Sequence, residues 1–136
     1  MSRDMLISVK MLVYRKVFGM DISPSCRFSL GTKLDLTNPK GIHIGDETYL
    51  AFGVVVFSHD MSREFHSDTY IGSRCFVGAN AIIMPGVRVG NNCVVGSGAV
   101  VTKDVPNNCI VAGNPAQIIK TEIMTKKFGI IVDDLN

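Results

Sequence analysis

Between residues 71 and 101 an apolar side chain returns at every sixth position: Ile71, Val77, Ile83, Val89, Val95 and Val101. A glycine follows four of them, at Gly72, Gly78, Gly90 and Gly96. An α-helix repeats near 3.6 residues and a strand alternates at 2, so neither sustains this spacing. Six-residue repetition belongs to a β-solenoid, in which each short side of a coil turns one anchor inward. The interval returns upstream as Ile22, Phe28, Leu34 and as Ile44, Leu50, Val56. Faces alternate around each anchor, as in Cys75-Phe76-Val77, which predicts three-residue strands joined by turns of Gly and Asn. Grouped in threes, the twelve anchors predict about four triangular coils over residues 21–106, an all-β parallel solenoid.

The spacing breaks twice. Leu34 to Ile44 carries four extra residues around Asn38-Pro39, and Val56 to Ile71 carries nine between about His59 and Ser67. An insertion in a solenoid is a loop thrown from a corner, and such loops carry function. The same grouping sorts the outward residues. One side is polar (Asp21, His43, Tyr70, Arg88), whereas the other two become apolar after the first coil. Tyr49, Phe76 and Val94 form one apolar column; Val55, Ile82 and Val100 form the other. Two apolar outer walls predict burial against copies of the same chain, and a closed ring satisfies both.

Composition adds less. The 136 residues suffice for one domain with a real core, and 46% hydrophobic with 19% charged residues fits a globular chain. A net charge of +2 gives no support for nucleic-acid binding. Residues 1–20 are apolar but interrupted by Lys10, Arg15 and Lys16, too short for a membrane span or a secretory leader. A helix over 3–18, packing on the core or docking a subunit, is expected in a cytoplasmic protein, with an interfacial membrane helix as the alternative. The four cysteines have no zinc spacing, and three occupy one slot two residues before an anchor, which marks them as small core side chains. The solenoid domain is placed at 21–115 and a tail at 116–136.

The closing stretch IGSRCFVGANAIIMPGVRVGNNCVVGSGAVVTKDVPNNCIVAGNPAQIIK, with VVTKDVP followed by AGNPA, resembles the hexapeptide-repeat acyltransferases. The similarity covers residues 21 to about 120 and is strongest to galactoside, maltose, serine and polysaccharide O-acetyltransferases. It implies a left-handed parallel β-helix, a homotrimer and acetyl-CoA in a cleft between subunits. Handedness comes from the resemblance alone. The family's general base matches His59, and chemistry agrees: removing a hydroxyl proton near neutral pH suits an imidazole. For the cofactor the resemblance implies Ala79 and Ser97 along the pantetheine arm, Thr102 and Lys103 toward the nucleotide, and Gln117 and Lys120 at the phosphates. Gln117 departs from relatives with arginine there, which weakens one phosphate contact. Asp35 and Asn38 fall where relatives hold the acceptor, though an Asn-Pro turn explains them equally well. His66, inside the insertion, is a further acceptor-side candidate. No metal is implied.

The function expected is acetyl transfer from acetyl-CoA to a hydroxyl of a sugar or polysaccharide precursor. An N-acetyltransferase acting on an amino sugar or nucleotide sugar is the nearest alternative. A γ-type carbonic anhydrase would need three converging histidines, and His43 lies on a different wall from His59. A non-catalytic assembly module is the third class.

Overall fold

The computed structural model describes residues 2–60, 62 and 65–132. Residues 61, 63 and 64 of the second insertion and the last four of the tail lie outside the described residues. The chain winds through three parallel sheets. Sheet A stacks Asp21–Ile22, Ile42–Ile44, Thr69–Ile71 and Arg88–Val89. Sheet C stacks Lys33–Leu34, Val55–Val56, Ile82–Ile83 and Val100–Val101. Sheet B lies between them in chain order, running through Arg27–Phe28, Tyr49–Leu50, Phe76–Val77, Val94–Val95 and Ile110–Gly113.

Register places every predicted anchor on its neighbour. Ile22, Ile44, Ile71 and Val89 form one column. Phe28, Leu50, Val77 and Val95 form the second, extended by Val111. Leu34, Val56, Ile83 and Val101 form the third. All are buried, so the interior is a shaft of aliphatic side chains with one aromatic, Phe28. β-Branched residues dominate because they fill a pleated, two-sided surface well. At the corner between sheets A and B the chain turns through left-handed residues Glu47, Arg74, Asn92 and Asn108, one per rung. Asparagine tolerates that region better than most residues, which explains its recurrence there.

With Val111 as an anchor, all four cysteines occupy the same slot, two residues before a sheet B anchor; each is free and buried. Burial pushes the Cys26 thiol up to about 12, against an ordinary value near 9. Its unfolded counterpart ionises first, so folding stability contributed by this site is complete below about pH 9 and falls as pH rises toward 12. A denaturant midpoint that declines across this window is therefore expected, at up to about 1.4 kcal/mol per pH unit for one group. Cys26→Ala should flatten the decline, read by urea titration at several pH values.

The described segments before and after the coils both pack on the solenoid. The helix Arg3–Leu12, capped by Ser2 Oγ accepting from Met5 N (3.1 Å), continues through a wider turn at Val13–Val17. It docks on the first coil through Tyr14, whose ring lies 5.8 Å from Phe28, and through Lys10 Nζ, which donates to the Thr32 carbonyl at 2.6 Å. The tail first doubles back, with Ala116–Lys120 antiparallel to Ile110–Gly113. It then descends the A–B corner. Asn108 Nδ2 donates to Ile123 O (2.9 Å), Thr125 Oγ1 donates to Arg74 O (2.6 Å) and Phe128 N donates to Glu47 O (2.7 Å). Phe128 ends edge-on to Tyr49 at 6.1 Å. The chain's own tail therefore covers part of sheet B's apolar wall, while Val55, Ile82 and Val100 on sheet C have no such cover among these contacts.

Candidate active site

Leu34 and Val56 both end sheet C strands, so the two insertions leave the prism at the same C–A corner, one rung apart. The second begins with a short antiparallel pair, His59–Asp60 against Phe65–His66. His59 is half-buried at the root of this hairpin and His66 stands opposite it, exposed, with ring centroids 5.0 Å apart in an edge-to-face arrangement. A cavity of about 400 Å³ opens beside His59. Asp35, Thr37, Asp60 and Ser62 give it polar groups, and Phe57, Met84 and Pro85 apolar ones. An imidazole facing such a mixed cavity can take a proton from a hydroxyl held there.

The acceptor-side candidates Asp35 and Asn38 reach this corner, where both also hydrogen-bond to the chain itself. Asp35 accepts from Thr37 N through Oδ1 (2.9 Å) and from Ser58 N through Oδ2 (3.0 Å). Asn38 Nδ2 donates to Ser58 O (2.9 Å), and Ser58 Oγ donates back to Asn38 O (2.6 Å). Thr69 was not among the residues singled out from sequence, because it fills a slot that otherwise holds small core side chains. Its Oγ1 donates to Phe57 O at 2.6 Å. The signal available was a hydroxyl in a buried slot beside an insertion.

The cofactor-side candidates divide between two corners. Thr102 and Lys103, both exposed, follow the Val100–Val101 strand and so share the C–A corner with His59, two rungs away. At 4.7–4.9 Å per rung this is about 10 Å along the stack. Ala79 and Ser97 lie at the B–C corner on successive rungs, where Gly98 N donates to Ala79 O (2.8 Å). A Cβ on Gly78 would stand 2.6 Å from Ser97 N, so close stacking of the backbone there depends on glycine. Gln117 and Lys120 sit exposed on the terminal sheet B strand. In one chain, therefore, sheet C separates Ala79 and Ser97 from His59.

His43 lies apart from this site, on the outer face of sheet A. Its Nδ1 is 2.8 Å from Asp21 Oδ2, its Nε2 is 3.3 Å from Asp68 Oδ1, and its ring stacks on Tyr70 at 4.3 Å. Among the described residues no group of three or more His, Cys, Asp or Glu is placed to hold a metal ion. Nor is any helix there long and apolar enough to cross a membrane.

The model of the hexapeptide repeat of succinyl-transferase matches residues 69–103. The Bacillus subtilis (strain 168) protein "Putative acetyltransferase YvoF" is 33% identical over 118 residues, spanning 85% of this chain and 69% of that one. The chain belongs to the hexapeptide-repeat acetyltransferases. A maltose O-acetyltransferase from Clostridium difficile 630 superposes with a TM-score of 0.65 at 25% identity, covering 88% of this chain and 85% of that one. A serine acetyltransferase from Brucella abortus strain S19, solved in complex with coenzyme A, gives a TM-score of 0.55 at 28% identity. The match takes in 83% of this chain and 45% of that longer one. The parallel sheets are those of this family, whose repeat implies a left-handed β-helix. Acyl transfer is the family's chemistry, and this chain is an acyltransferase.

Proposed function

We propose that this protein is an acetyl-CoA-dependent O-acetyltransferase that acts on a hydroxyl of a sugar or polysaccharide precursor, with His59 as general base. The observation that carries the reading is the half-buried His59 imidazole in the lining of the 400 Å³ cavity, together with the carboxylates and hydroxyls of Asp35, Thr37, Asp60 and Ser62 and the apolar side chains of Phe57, Met84 and Pro85. Pyranose rings present the same two kinds of surface, hydroxyl edges and apolar faces. In the reaction His59 takes the acceptor's hydroxyl proton as the oxygen attacks the thioester carbonyl. A backbone N–H at the cleft stabilises the tetrahedral oxyanion. Collapse breaks the C–S bond, and the imidazolium returns its proton to the departing thiolate. The proton count closes on each turnover.

The divided cofactor candidates support a homotrimer. A ligand lying between two prisms meets the B–C corner of one (Ala79, Ser97) and the C–A corner of the other (His59, Thr102, Lys103). The apolar wall Val55, Ile82 and Val100 lies between those corners and is a natural seam. The family resemblance assigns Lys103 and Lys120 to the nucleotide end of the cofactor, and both are exposed cations. The structure of the serine acetyltransferase with coenzyme A supports acetyl-CoA as the donor.

A thiol-release screen with acetyl-CoA against sugars, nucleotide sugars, serine and aminoglycosides tests this reading. Release with a neutral sugar, and a product cleaved by hydroxylamine, is the expected result. A product resistant to hydroxylamine would be an amide and would make the protein an N-acetyltransferase. No release with any member would overturn the reading.

A further inference from the structure

We infer that the first insertion, residues 35–41, exists to fix His59. It clamps the root of the second insertion, and Asp35 and Asn38 are positioning residues rather than acceptor ligands. The inference rests on the reading of His59 as the base. His59 begins a hairpin of two paired residues per strand, too small to hold an imidazole steady by itself. Its placement depends on the two residues before it, and their polar groups are satisfied from outside the strand. The Phe57 carbonyl takes the Thr69 hydroxyl (2.6 Å). The Ser58 N–H is held by Asp35 (3.0 Å), and the Ser58 carbonyl accepts from both Asn38 Nδ2 and Ser67 N at 2.9 Å. The Ser58 hydroxyl closes the ring on Asn38 O. Thr69 Oγ1 also accepts from Gly86 N (2.9 Å), tying the clamp to the next rung.

Gly41 completes the device. A methyl group there would stand 2.5 Å from Asn38 Nδ2 and 3.0 Å from both Ser58 Cβ and Ser67 O. The clamp closes because this residue has no side chain. Each carboxylate oxygen of Asp35 and one N–H of the Asn38 amide already serve the chain itself, so both side chains are held in place before any acceptor enters.

The test uses variants that touch no substrate. Thr69 is fully buried, so Thr69→Val removes only the hydroxyl while Thr69→Ser retains it. Gly41→Ala wedges the clamp from the other side. Displacing a base by about 1 Å costs on the order of 10²-fold. Thr69→Val and Gly41→Ala should therefore lower kcat about 10- to 100-fold, with the sugar that gives the fastest thiol release. The KM for acetyl-CoA should stay unchanged, and Thr69→Ser should restore the rate. A second readout needs no ligand: the His59 imidazole ¹H–¹⁵N correlations, assigned with His59→Gln, should broaden or split in the first two variants and stay sharp in Thr69→Ser. Unchanged imidazole signals in Thr69→Val and Gly41→Ala would overturn the inference. So would Asp35→Asn raising the acceptor KM at constant kcat, since Asp35 would then read the acceptor. If Thr69→Val fails to fold, Gly41→Ala and Asp35→Asn decide by the same readouts. Retained turnover in His59→Gln would instead defeat the base assignment, while the imidazole-signal comparison still judges the clamp.

Discussion

Replacing His59 by alanine is expected to slow acetyl transfer by about 10²- to 10⁴-fold, the usual contribution of a well-placed general base. At about 1.4 kcal/mol per decade this is a loss of roughly 3–5 kcal/mol of transition-state stabilisation. The fold should be untouched, because His59 contributes no anchor to the buried shaft; the core residues that flank it in the chain are Val56 and Ile71. Coenzyme A binding should persist as well, since the implied contacts at Ala79, Ser97 and Lys103 do not pass through the imidazole. His66→Ala is the matched control. Its ring meets His59 edge-on at 5.0 Å from an exposed position, and edge contacts of this kind are worth about 0.5–1.5 kcal/mol. The loss there should stay below about tenfold. Equal losses in both variants would mean that the pair acts as a unit. Full activity in His59→Ala would leave the solenoid as an assembly module.

The hexad was legible because it is a packing requirement repeated at every corner. An anchor such as Ile83 has no alternative to the shaft, so its spacing alone gives its column, and the twelve anchors fall in register as their order demands. The spacing also fixed where the chain leaves the prism, since both insertions follow the third anchor of a coil. What those insertions do to each other was not legible. Asp35 and Asn38 read equally as acceptor ligands or as turn residues, and spacing carries no sign that the Asp35 carboxylate, which lines the cavity, also accepts from Ser58 N one rung away. Thr69 was hidden for a related reason. Its slot two residues before Ile71 is occupied elsewhere by Cys75, Ala81 and Val87, and a hydroxyl in such a slot carries no spacing signal. The tail was open between its own prism and a neighbour; its path follows the unusual backbone of the A–B corner, where Asn92 Nδ2 donates to Thr125 Oγ1 at 3.0 Å.

If the protein is the homotrimer proposed above, Ile82→Arg is expected to convert it from three times 14.8 kDa to 14.8 kDa and to abolish turnover, with the single prism still folded. Ile82 stands between Val55 and Val100 in register on the outside of sheet C, and all three are half-buried in the lone chain. An arginine at that position can extend into water in a monomer, where surface changes stay near 0.5 kcal/mol. At a seam the guanidinium would be enclosed opposite apolar residues without a partner, and burying one unpaired charge costs several kcal/mol per copy. A ring repeats that cost at every seam. On the proposed site, turnover follows assembly, because sheet C separates His59 from Ala79 and Ser97 within one chain and a monomer would not bring them to the same thioester. The sheet B wall should be less sensitive, since Phe128 already lies against Tyr49. Analytical ultracentrifugation with far-UV circular dichroism reads both halves of the expectation. An Ile82→Arg protein that keeps its trimeric mass would move the seam off sheet C, and one that turns over as a monomer would remove the need for a second subunit in the chemistry.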